Sequence, residues 1–240
     1  VNFKTVFGDE VFYKTIYNTF IFAAGTIPLT MAVSLLLAVL TNRRIAGVGF
    51  YKCAYFLPMV TSSVSIAMVW YWLYAPDFGL INTFLNILGI QGPPWLADPA
   101  WARIAIIIMS AWLQMGYFYI IFLAGLKNIP NEYYEAAYID GGNSIRVFFK
   151  ITLPMLSPVT FFVLITLFIG TFNMFNESYI LTRGGPSYAT YTLVMYIFFR
   201  AFQLFRMGEA SVASMVLFIT VGLITLLQFR LSRKLVNYDI

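Results

Sequence analysis

The chain has 240 residues, of which 60% are hydrophobic and 10% charged, and it carries a net charge of +5. A soluble domain carries about 25% charged residues, so this composition excludes an ordinary globular surface and points to a membrane bundle. The basic residues are scattered rather than striped along one face, which argues against a nucleic-acid partner and suits basic loops on one side of a bilayer.

Charges punctuate the chain. Uncharged stretches lie between Lys14 and Arg43, Lys52 and Asp77, Arg103 and Lys127, Lys150 and Glu177, and Glu209 and Arg230. Each is about 20 residues or longer, the length a helix needs to cross hydrocarbon. The expected fold is all-α, a single transmembrane helix bundle over residues 1–240 with spans at 17–40, 54–74, 104–126, 156–175 and 211–228. Two other uncharged runs are refused as spans. Residues 78–97 contain Asn82, Asn86, Gln91 and the breaker Gly92-Pro93-Pro94, and read as a surface helix followed by a loop. Residues 184–199 open with Gly-Gly-Pro and are too short to cross, so a re-entrant or interfacial helix is expected. Cys53, the one cysteine, is expected to pack at the edge of the second span. With no histidine present, the usual zinc spacings are absent and no metal site is expected.

Orientation follows Lys and Arg placement. One side holds Arg43, Arg44, Lys52, Lys127, Arg146, Lys150, Arg230, Arg233 and Lys234, crowded into short loops and a tail. The other holds Lys4, Lys14, Arg103, Arg183, Arg200 and Arg206. The first side is assigned to the cytoplasm, which puts the C-terminus there.

The loop between the third and fourth spans, 127–153, is expected to form two short helices with a sharp turn. Pro130 suits a first turn, and Asn131 and Glu132 favour its positive end. Gly141 and Gly142 supply a stop, because glycine accepts the left-handed cap conformation. Asn143 or Ser144 can cap the second helix, and Pro154 marks entry into the fourth span. Ala136 and Ala137 leave a low patch that another protein could approach. On physical grounds alone, an interfacial hairpin joining two spans is an equal reading.

The same loop carries a resemblance. Glu135, Ala136, Ala137, Gly141, Ile151, Leu153 and Pro154 match, without gap or substitution, the signature of bacterial ATP-binding-cassette importer permeases. The stretch Phe172–Pro186 and the residues after it, through Ala210-Ser211, resemble the carbohydrate-importer branch, of the type of the maltose transporter's larger permease subunit. The resemblance implies that loop 127–153 docks on a cytoplasmic ATPase and couples its closure to transport. It implies a second homologous permease, two ATPase subunits, an extracytoplasmic solute-binding protein and a carbohydrate substrate, in the bacterial inner membrane. That branch has one more span before the region of Tyr17, and the sequence begins at Val1, so a further N-terminal span is expected.

The chain has no phosphate-binding loop of the Gly-x-x-x-x-Gly-Lys-Ser/Thr type. It is therefore expected to be no enzyme and to carry no cofactor, with ATP and magnesium on the partner ATPase. The span interiors hold no ionisable relay, which counts against an ion-coupled secondary transporter. A neutral sugar needs amides that match hydroxyls and aromatic faces to stack on. Gln114 and Tyr117 lie three apart in the third span, and Phe172, Asn173 and Asn176 cluster at the end of the fourth, with the two asparagines expected on one face. The resemblance implies that Tyr117, Phe172, Asn173 and Asn176 touch sugar, while Gln114 stands where the maltose permease has glycine. Amides that bond between helices are the structural alternative. Glycerol-phosphate importers belong to the same branch, and Arg200 and Arg206 keep that substrate in view. A phosphate ester prefers an arginine clamp inside the cavity, so an oligosaccharide is the first choice.

Overall fold

The structure is a computed structural model that describes residues 1–42 and 47–235. Arg43 and Arg44, two of the residues used for orientation, lie outside the described residues. A short helix, α1 (Asn2–Phe7), ends at Gly8. Asp9 then caps α2 (Glu10–Thr41): its carboxylate accepts the Val11 N–H at 2.9 Å, satisfying one of the donors that a helix start leaves free. Next come α3 (Val48–Val60), α4 (Ser63–Leu73) and the short α5 (Leu80–Ile87). Asp98 caps α6 (Pro99–Lys127) by accepting from the N–H groups of Ala100 and Trp101. Pro99 sits in the first turn, where its missing N–H costs nothing.

After α6 the chain forms α7 (Asn131–Ile139), α8 (Ser144–Val147), a π-helical segment (Phe148–Thr152) and α9 (Leu153–Met155). It then enters α10 (Ser157–Phe172) and α11 (Asn176–Thr182). α12 (Leu193–Phe198) runs into a second π-helical segment (Phe199–Gln203), and α13 (Met207–Leu235) follows. No strand occurs among the described residues.

Three helices, α2, α6 and α13, are long and apolar enough to cross a membrane, and two bent pairs raise the number to five if each is one span. Both bends depart from the straight spans expected. α3 and α4 meet at 100°, so 54–74 is not one straight helix. Pro58 lacks the N–H that would continue the ladder, and Thr61 is extended at φ −82°, ψ 149°. The segment 144–155 meets α10 at 66°. Pro154 and Pro158 flank that bend. α10 also stops at Phe172, so the last turn expected in 156–175 is absent. Cys53, expected to be packed, is exposed on α3.

α6 is the hub. It packs along α2 and against α3 and α10. Phe118, Tyr119, Phe122 and Leu126 of α6 close a core with Ala23, Ile27 and Ala38 of α2, Val163 and Leu167 of α10, and Leu156 just before α10. Gly116 permits the α3 contact: a Cβ there would stand 1.9 Å from the Tyr55 carbonyl oxygen. α13 differs, with 17% of its apolar window buried against 56% for α6. Most of its surface therefore faces outward.

Two polar clusters tie the Asp98 end of the bundle. Arg200 bonds Asp9, reaches Glu209 at 2.8 Å, and lies 4.9 Å over the Tyr196 ring. Tyr196 also donates its hydroxyl to Asp9 at 2.9 Å. Arg103 donates to the Ala189 carbonyl at 2.9 Å and to Asn18 Oδ1 at 3.0 Å, while Asn18 Nδ2 donates to the carbonyls of Tyr188 and Tyr191. The loop before α12 is thereby held against α2 and α6.

Candidate coupling loop and transport cavity

α7 ends in a closed turn. Gly142 N–H donates to the Ala137 carbonyl at 2.9 Å, and Gly141 N–H donates to Tyr138 at 3.1 Å. This pair of bonds is the Schellman arrangement, which needs a left-handed residue just past the helix. Gly141 supplies it at φ +77°. Gly142 is needed for a different reason: a Cβ there would lie 2.6 Å from the Ala137 oxygen. Asn143 then caps α8 by accepting the Arg146 N–H at 2.8 Å, and Ser144 does not take that role. Pro130 occupies the cap position of α7 with extended ψ of 137°.

None of the residues of α7 is buried. Glu135 and Ala136 are exposed and Ala137 is half-buried. Ile139 is 85% exposed and Ile145 71%, large apolar side chains left at the tip of the turn. The rest of the signature lies on the path back to the bundle: Ile151 is in the π-helical segment, and Leu153 and Pro154 form α9, all half-buried. The Tyr134 and Thr152 hydroxyls lie 3.3 Å apart, bridging α7 to the entrance of α10. α7, its turn and the root of α10 are thus linked by two backbone bonds and one side-chain bond.

A cavity of about 300 Å³ opens beside the kink between α3 and α4. Gln114 and Tyr117 line it, together with Thr61, Ser63, Thr166 and Gly170. Gln114 Nε2 donates to the Ser110 carbonyl at 3.3 Å, which leaves its oxygen facing other partners. Asn176 joins through a neighbour: its Nδ2 donates to Ser63 Oγ at 3.0 Å. The other two expected contacts stand elsewhere. Asn173 caps the end of α10 and donates to the Ile169 carbonyl at 2.8 Å, with its side chain exposed. Because α10 ends before it and α11 begins at Asn176, the two asparagines do not share one helical face. Phe172 is 1% exposed, tilted against Phe168 with ring centroids 4.3 Å apart and edge-on to Phe20 at 5.1 Å. It belongs to the core rather than to an open wall.

Thr61, Ser63 and Thr166 also line this candidate site and are not singled out by the sequence analysis. The Thr-Ser-Ser run at 61–63, three residues after Pro58, was the available signal of a break with free hydroxyls. Arg200 and Arg206, weighed as anion ligands, are both engaged by Glu209, at 2.8 and 3.5 Å.

Residues 11–237 match the family described as binding-protein-dependent transport system inner membrane component. The chain is 40% identical to the probable ABC transporter permease protein YesP of Bacillus subtilis (strain 168), over 99% of this chain and 78% of that protein. It is 37% identical to the lactose transport system permease protein LacF of Rhizobium radiobacter, over 97% of this chain and 80% of that one. In fold it is similar to a bacterial ABC transporter involved in import of the acidic polysaccharide alginate, with a TM-score of 0.89 and 24% identity over 98% of this chain and 84% of that chain. The chain belongs to the family of inner-membrane components of binding-protein-dependent transport systems.

Proposed function

We propose that this chain is one permease subunit of an ATP-driven importer of a carbohydrate, an oligosaccharide by first choice, in the bacterial inner membrane. α7 lies on the cytoplasmic side with the C-terminus, and docks in a cleft of an ATPase subunit. A second related permease stands beside this chain, two ATPase subunits lie below, and a solute-binding protein delivers sugar from outside. ATP and magnesium sit on the ATPase, and this chain holds no cofactor.

The observation that carries the reading is the exposed, rigidly terminated α7 with its complete signature. A helix that buries none of its own residues yet is locked in orientation is built to meet another protein. Closure of the ATPase pair moves α7, and the Gly142–Ala137 bond and the Tyr134–Thr152 pair pass that movement to α10. α10 carries Thr166 and Gly170 in the wall of the 300 Å³ cavity. A shift of this helix against α4 and α6 alternately opens the cavity to either side, a packed-element movement rather than a continuous deformation. Gln114, Tyr117, Ser63 and Asn176 offer the amide, hydroxyl and ring surfaces that a sugar matches.

The test is reconstitution. Proteoliposomes that hold this chain, its partner permease and the ATPase, supplied with binding protein and ATP, take up a carbohydrate. This chain alone takes up none. Uptake by this chain alone under a proton or sodium gradient contradicts the reading and favours a secondary transporter.

A further inference from the structure

A second cavity, about 640 Å³, lies apart from the wall formed by Gln114 and Tyr117, between the end of α4, the segment 76–97 and the end of α11. Its size falls within the range of ligand sites, roughly 300–1,000 Å³. α6 separates it from the coupling loop. The cavity borders the Asp98 end of α6 and α7 follows the Lys127 end, and 29 residues of helix put these ends about 43 Å apart.

The lining has a definite chemistry. Tyr71, Tyr74, Phe78 and Trp95 supply ring surface. Two of these rings are fixed: Tyr74 donates its hydroxyl to the Ala105 carbonyl at 2.9 Å, and Trp95 donates its indole N–H to Asn82 at 2.7 Å. Their centroids stand 5.2 Å apart. Tyr74 is itself buried, 1% exposed, and backs the half-buried Trp95, while Tyr71 and Phe78 are exposed. Trp95 is thus a pre-set ring for the flat C–H faces of pyranose rings, at no ordering cost on binding.

Arg183 is the one charged residue among the lining residues. Among the described residues, no ion pair or hydrogen bond engages its guanidinium, unlike that of Arg103 or Arg200. Its backbone is left-handed, at φ 51°. It takes the position just past α11 where glycine is favoured, although Gly184 and Gly185 follow directly. A non-glycine residue held in that conformation is strained, and strain of this kind gathers where a side chain must be aimed.

We infer that this outer cavity is a recognition site for an oligosaccharide bearing carboxylates, with Arg183 as the group that selects the acidic sugar and the aromatic wall as its stacking surface. The inference rests on the carbohydrate reading above and narrows it. The guanidinium fork matches a carboxylate with two parallel N–H donors. The rings accept neutral and acidic sugars alike, so discrimination falls to Arg183.

The experiment is calorimetric binding of cellotriouronate and of cellotriose to the assembled transporter in nanodiscs, without binding protein. Cellotriouronate is expected to bind about tenfold more tightly, the worth of one charge-assisted pair. Arg183→Gln abolishes the difference, Arg183→Lys keeps part of it, and Tyr71→Ala weakens both sugars. Arg183→Gly also abolishes the difference while the protein melts no lower than wild type, because the backbone strain is relieved. Equal binding of the two sugars, binding of neither, or a difference that survives Arg183→Gln overturns the inference. So does a variant that loses only retention of the binding protein, which would make this face a docking surface. ATP-driven uptake with binding protein is measured on the same purified complex reconstituted in proteoliposomes. Uptake that persists while the cavity does not discriminate sinks this inference alone, and absence of any uptake sinks the transport reading.

Discussion

The Asn176 side-chain amide donates to Ser63 Oγ at 3.0 Å, joining the first turn of α11 to the first turn of α4 beside the 300 Å³ cavity. The two residues act as one unit, because a half-buried amide that loses its partner keeps its desolvation cost. Asn176→Ala is expected to weaken sugar transport about tenfold, and Ser63→Ala about threefold. The double variant should cost little more than Asn176→Ala, since contacting residues are not additive. Initial uptake rates over a range of sugar concentrations measure this. Additive losses would mean that the two groups serve separate purposes.

Asn173 provides the contrast. Its amide is spent on its own helix end and its side chain is exposed. Asn173→Ala should therefore alter uptake less than twofold, with at most about 1 kcal/mol lost in stability from the missing cap bond. A tenfold loss of uptake with unchanged melting would return Asn173 to the sugar site.

Gly116 and Gly125 lie on the same helix and meet different neighbours. A Cβ at 116 would strike the Tyr55 carbonyl at 1.9 Å, and backbone cannot step aside. At 125 it would meet Val159 Cγ2 at 2.8 Å, a side-chain tip. Gly116→Ala is expected to cost about 3 kcal/mol or more and Gly125→Ala about 1–2 kcal/mol. Thermal unfolding of the purified variants in one detergent should rank them in that order.

Arg200 holds Asp9 and Glu209 together at the Asp98 end of the bundle. Arg200→Met leaves Asp9, 18% exposed, without its counter-charge, and leaves Glu209, 11% exposed, with the longer Arg206 pair at 3.5 Å alone. A loss of about 2–3 kcal/mol is expected, with Glu209→Gln costing less because Asp9 keeps its partner. Substrate choice should not change, since this arginine is used internally. A shift in which sugar is transported, without a lower melting temperature, would place Arg200 in the substrate path instead.

The helical membrane character was legible because it depends on long uncharged runs and on charges that mark their ends. The turn after α7 is legible because Gly141, Gly142 and Asn143 each have one strong backbone preference, and the left-handed cap falls on Gly141. The bend at Thr61 was hidden because nothing in 54–74 is charged, and a run read by charge alone looks continuous through Pro58. That error concealed Ser63, which appears mid-span in the sequence and at a helix start beside a cavity in the structure. Asn173 and Asn176 are paired by helical spacing, but α10 ends at Phe172 and α11 begins only at Asn176, and no proline marks that break. Phe172 was read as a sugar contact by resemblance. Its burial arises from Phe20 and Phe168, and the first of these comes from a distant helix.

The coupling claim turns on Gly141. A Cβ there meets nothing within 4 Å, so space is not the obstacle. The φ of +77° is, because a β-branched residue is strongly disfavoured in that region. The most direct measurement is ATP turnover of the Gly141→Val complex stimulated by binding protein, with co-purification of the ATPase followed in the same preparation. The expected result is a chain that inserts and melts near the wild-type temperature yet loses the ATPase, or retains it with stimulation and uptake reduced at least about tenfold. Wild-type co-purification, stimulated turnover and uptake would contradict it and leave α7 as a connector between two spans.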